Sequence, residues 1–103
     1  MPNIYGEQRP KATTVNPVVQ FTVMNEPTVI VPSNSMRLSY GVSVATPNET
    51  LLLNYGENTL TTTTFAVLLQ FGQSYFDDLF LGEVRAISLS GNAVIVNVTE
   101  FMP

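Results

Sequence analysis

Gly82-Glu83-Val84-Arg85-Ala86-Ile87-Ser88-Leu89-Ser90-Gly91-Asn92-Ala93-Val94-Ile95-Val96-Asn97-Val98-Thr99-Glu100-Phe101 is the stretch that decides the fold. Val94, Val96 and Val98 alternate with Ile95 and Asn97, and β-branched side chains at a period of two suit a pleated ribbon better than a helix. Between the two apolar runs, Gly91 supplies the positive φ of a tight turn and Asn92 tolerates the same region. The spacing predicts a C-terminal β-hairpin across Ser90-Gly91-Asn92. An isolated hairpin is marginal in water, so this one needs further strands over its apolar face.

The upstream sequence offers them. Val19, Phe21 and Val23 alternate with Gln20 and Thr22, and Asn25-Glu26-Pro27 ends that run. Thr28 to Val31 is a second short strand, stopped by Pro32-Ser33-Asn34. From Met36 to Ala45 the alternation is complete: Met36, Leu38, Tyr40, Val42 and Val44 point one way, and Arg37, Ser39, Gly41 and Ser43 the other. Gly41 marks a bulge there or the close approach of another backbone. Thr50 to Tyr55, with Leu51, Leu52 and Leu53 in a row, is read as strand because Pro47 and Gly56 bound it. Thr59 to Phe71 follows, its four threonines from Thr61 to Thr64 favouring strand, then Ser74 to Leu81. With the closing pair this makes about eight short antiparallel strands at intervals of roughly ten residues, the pattern of an all-β sandwich or jelly roll.

Residues 1–17 break the pattern. Pro2, Pro10 and Pro17 oppose both helix and central strand, and the segment reads as an extended N-terminal arm preceding a β-sandwich domain over residues 18–103. Ile4 and Tyr5 give the arm something to anchor, and Arg9 and Lys11 make it the most cationic part of the chain.

At 103 residues the chain accommodates one core. Charged residues are 12% of it, about half the usual share. The surface is therefore built from neutral polar groups, which lose less than ions do when water leaves. Such a surface suits a subunit packed against neighbours. The net charge is −4, with no basic stripe to neutralise phosphates, so nucleic-acid binding is not expected. No apolar leader core or membrane-length run is seen, and the chain is expected to be made soluble in its own compartment.

Histidine and cysteine are both absent, which removes imidazole bases, thiolate nucleophiles and the metal sites built from them. Asp77 and Asp78, with Glu83 nearby, remain as a conceivable carboxylate pair or Ca²⁺ site. Adjacent residues of one strand face opposite ways, however, and a solvated turn is the simpler expectation. No enzyme activity, cofactor, metal or small-molecule substrate is expected. Tyr75, Phe76 and Phe80 form either part of the core or a sugar-stacking platform. Arg37 and Arg85 sit on what should be exposed faces, either paired with Glu83 or Glu100 or contacting another subunit.

The order Val31-Pro32, Asn34, Arg37-Leu38-Ser39, a Leu-rich strand ending near Gly56, then Gly82-Glu83-Val84-Arg85-Ala86-Ile87, Ser90-Gly91 and Glu100 resembles small all-β virion proteins of DNA bacteriophages. These are the capsid decoration or cement class and related vertex subunits, and the likeness spans residues 28–101. It implies a sandwich or jelly roll assembled as a trimer or pentamer on the capsid surface, with the major capsid protein as partner. It also implies an arm that reaches a neighbour and no catalytic residues. Contacts would then fall to Ile4, Tyr5, Arg9, Lys11, Arg37 and Arg85, on a protein made in the host cytoplasm and resident on the virion. The rival expectation is a receptor- or carbohydrate-binding module using Tyr55 and Asn58 at loop ends.

Overall fold

The computed structural model describes residues 11–103. Among the described residues there are nine strands and no helix: β1 (Thr14–Val15), β2 (Val19–Val23), β3 (Thr28–Val31), β4 (Ser39–Val44), β5 (Thr50–Tyr55), β6 (Val67–Gln70), β7 (Ser74–Asp77), β8 (Val84–Ser88) and β9 (Val94–Met102). They form two sheets. In the first, β9 lies between β4 and the consecutive β1 and β2, with β7 outside β4; the second runs β3-β8-β5-β6. All pairings are antiparallel.

The pairing follows one rule. β2 bonds β9, β3 bonds β8, β4 bonds β7 and β5 bonds β6, so β2 to β9 form one long ribbon of nested pairs. Rolling that ribbon sets β9 against β4 and β8 against β5, which makes the sandwich a jelly roll. Fully buried Val23, Ile30, Tyr40, Leu51, Val84 and Val96 are among the side chains filling the space between the sheets. Leu51 and Leu53 face that core, whereas Leu52 points outward into a small second cluster with Leu60 and Ile87. This accounts for three leucines in a row: β5 is buried on both faces.

The predicted C-terminal hairpin is not formed. β8 pairs with β3 and β5 while β9 pairs with β1, β2 and β4, so Ser90 to Ala93 crosses from one sheet to the other. Gly91 does turn with φ 84°, and Glu49 holds the corner by accepting from Ser90 Oγ at 2.6 Å. Alternation of period two states which side chains share a face. It does not state which strand lies alongside, and two apolar runs are hidden equally well across a sandwich as within one sheet.

Residues 59–66 are likewise not strand. Thr61 and Thr64 exchange backbone hydrogen bonds, and Thr61 Oγ1 accepts from the N–H groups of Thr63 and Thr64. The hydroxyls offer the backbone a local turn in place of a ladder. The loop lies on the outer face of the second sheet through Leu60, while Asn54 donates to the Thr59 carbonyl at 2.8 Å. Gly41 meets neither a bulge nor a backbone. Phe76, its cross-strand partner, lays its ring over the position, where a Cβ would come within 2.6 Å of that ring.

Candidate functional site

Neither arginine lies on a fully exposed face as expected: Arg37 is buried and Arg85 is half-buried. Arg37 precedes β4 and is 2% exposed. Its Nη1 donates to the Pro32 carbonyl at 2.8 Å and to Glu100 Oε2 at 3.1 Å. Its Nη2 donates to the Phe80 and Gly82 carbonyls at 2.7 and 3.0 Å, and the guanidinium lies 5.0 Å from the centre of the Tyr40 ring. One side chain thus joins the β3–β4 connection, the β7–β8 connection and the end of β9. Glu100 also accepts from Asn34 Nδ2 at 3.3 Å, completing the seal. The expected pairing of Arg37 with Glu100 is therefore present, but inside the protein. Three main-chain carbonyls at loop ends need donors, and a planar guanidinium supplies several at once.

Arg85 lies in the middle of β8, half-buried, and donates from Nε to the Gly56 carbonyl at 3.0 Å and from Nη2 to Asn58 at 2.6 Å. Its work is to pin the β5–β6 loop. Ile4, Tyr5 and Arg9 lie outside the described residues, and Lys11 is exposed two residues before Thr13, whose N–H donates to the Met102 carbonyl at 3.0 Å. The chain enters the sandwich along the end of β9, where Thr14 and Val15 lie opposite Met102 and Phe101.

The feature with the plainest capacity for contact is a groove of about 410 Å³ lined by Asn16, Pro17, Val19, Phe21, Ile30, Pro32, Val98 and Glu100. It opens between β2, at the margin of the first sheet, and β3, at the margin of the second. Phe21 packs on the core and Val23 is fully buried, so Val19, on the same face by the two-residue period, points into the sandwich as well. Val19 is nevertheless 51% exposed. Among the described residues, nothing covers the core along this flank. Among the described residues β2 pairs with β9 alone, and its sequence Val-Gln-Phe-Thr-Val carries none of the charges or prolines that commonly blunt an edge strand. Periodicity placed Val19 on the core face correctly; what it could not reveal is that no strand among the described residues covers it.

The aromatic run divides between the two readings. Tyr75 and Phe80 pack against the core, whereas Phe76 is 68% exposed on the outer face of the first sheet. Tyr40 donates to Asp77 Oδ2 at 3.0 Å, and the Tyr55 and Tyr75 hydroxyls are bonded to each other. Burial, followed by the charge of Asp77 and the hydrogen bond to it, pushes the Tyr40 phenol far above its ordinary value. Burial and the bond to Tyr75 do the same for Tyr55. Tyr55, expected at an exposed loop end, is thus occupied within the fold. Asp77 takes a second bond from the Leu79 N–H at 2.9 Å. Among the described residues no group of acidic side chains is arranged to hold a metal ion, and no helix is long and apolar enough to cross a membrane.

No family model matches the chain, and no curated protein matches it. Among solved structures it is similar to a protein described under the words "Bacillus endospore appendages form a novel family of disulfide-linked pili". That likeness has a TM-score of 0.48 and 11% identity, over 99% of this chain and 100% of the other.

Proposed function

We propose that the protein is a structural subunit that associates with copies of itself and coats a larger particle. The bacteriophage capsid is the particle suggested by the order of its sequence features. The flank that the described residues leave uncovered supports the reading most directly: an edge strand without charge or proline, beside a groove in which an inward-facing valine stays half exposed. An edge of this kind adds a further strand through its free main-chain groups, while the groove accepts that strand's apolar side chains. A chain with 12% charged residues loses little in drying such a surface. Repetition over a particle then supplies avidity, so each contact can be weak. Thr14 and Val15 belong to the sheet, so residues 1–10 are the part of the arm to which the proposal assigns the bridge to a capsid.

Sedimentation of the full chain tests self-association: a trimer or pentamer supports the proposal, and a monomer at tens of micromolar overturns it. Co-sedimentation with phage capsids tests the coating role, and removal of residues 1–10 should abolish binding while leaving the fold intact. Full binding by the shortened chain would end the arm's role without touching the oligomer.

A further inference from the structure

A second site lies at the opposite margin of the first sheet. Tyr55, Tyr75 and Phe80, with Leu79 and the carboxylate of Asp77, line one depression of about 350 Å³, within the lower range of small-ligand pockets, about 300–1,000 Å³. Three rings from two sheets and a loop converge there. The Tyr55 and Phe80 rings meet edge to face with centroids 5.2 Å apart. Aromatic faces are negative and attract cations.

The polar groups narrow the choice of ligand. Asp77 accepts from Tyr40 and from the Leu79 N–H, both neutral donors. The ion pair formed among the described residues, Arg37 with Glu100, does not involve it. Asp77 therefore supplies a negative charge without a cationic partner there, in a chain of net charge −4. The strong upward push on the neighbouring Tyr55 phenol, chiefly from burial, agrees that a further negative charge is unwelcome in this corner. Anions are thereby disfavoured as ligands.

Among cations, a lysine-type ammonium brings three N–H donors and a guanidinium five. The acceptors still open to them are the remaining lone pairs of two phenols already bonded to each other and of one carboxylate that already takes two bonds. A fully alkylated ammonium has no N–H to leave unsatisfied, and its methyl groups suit ring faces and Leu79. We propose that the Tyr55–Tyr75–Phe80–Asp77 depression binds a quaternary ammonium group, carried by a soluble molecule or by a lipid headgroup.

Choline and its neutral isostere 3,3-dimethylbutan-1-ol separate charge recognition from apolar fit. Titrated into the full chain and followed by the ring NMR signals of Tyr55, Tyr75 and Phe80, choline should bind at least about fivefold tighter than the alcohol. Asp77→Asn and Phe80→Leu should each reduce that preference by at least half. Equal response to both molecules, or an undiminished preference in Asp77→Asn, overturns the assignment. The wild-type comparison decides even where a variant folds poorly. Sedimentation with phosphatidylcholine vesicles, lost in Asp77→Asn, would place the group on a lipid; choline binding without sedimentation would place it on a soluble molecule.

Discussion

The end of the sandwich at Arg37 and the flank between β2 and β3 are built on opposite plans. At the first, a buried guanidinium satisfies three loop carbonyls and one carboxylate, and the chain closes on itself. At the second, Val19 faces inward and stays half exposed over a groove, on an edge strand that the described residues bond on one side. The two meet at Pro32 and Glu100, which both line the groove and bond to Arg37. Closure at one place and incompleteness at the next divide the labour. Polar bonds fix the closed end, and the apolar opening is where the proposed partner chain would dock.

The contrast can be broken most severely at its closed side. Arg37→Ala leaves Glu100 half-buried without its cation and three carbonyls without their donor, a loss of roughly 3–5 kcal/mol. The melting temperature measured by calorimetry should fall on the order of 20 °C. A fall of only a few degrees would mean that the seal contributes little. Because the charges are already buried, replacing both Arg37 and Glu100 by apolar residues of similar size should cost less than Arg37→Ala alone.

A smaller effect sharpens the comparison by pH. Burial first, and then the charge of Asp77 beside it, hold the folded Tyr40 phenol well above the ordinary value of 10.0. For a group whose folded pKa is raised, the stabilisation is fully present below the unfolded pKa and is lost as pH climbs toward the folded value. Urea midpoints should therefore be flat from pH 7 to about 9 and decline above about 10. Tyr40→Phe should start lower, having lost its bond to Asp77, and decline less steeply. An identical decline in both proteins would remove Tyr40 from the cause.

Much of the sandwich was legible because alternation records which side chains face inward. Val19–Val23, Thr28–Val31, Thr50–Tyr55 and the valines of β9 fall where the pattern places them. Sheet membership was not legible, since Gly91 turns the chain equally well within a sheet or between two. The arginines misled for a related reason. Period two assigns Arg37 to an outer face, but β4 begins at Ser39, and in the preceding turn the side chain is free to swing inward toward the loop carbonyls. The groove had no signature at all, because an inward-facing valine looks the same whether or not something covers it.

The open side is tested by a substitution that should hardly disturb the fold. Val19→Lys puts a charge on the uncovered edge; with the residue half exposed, its ammonium can reach water, and stability should change by no more than about 0.5 kcal/mol. Docking a strand there would now require drying that charge against Val98 and Ile30, which line the same groove. Self-association measured by sedimentation equilibrium should weaken at least tenfold, while the melting temperature of the monomer holds within about 3 °C. If the oligomer persists unchanged, assembly runs through another surface, and the exposed valine is no more than a gap in the core.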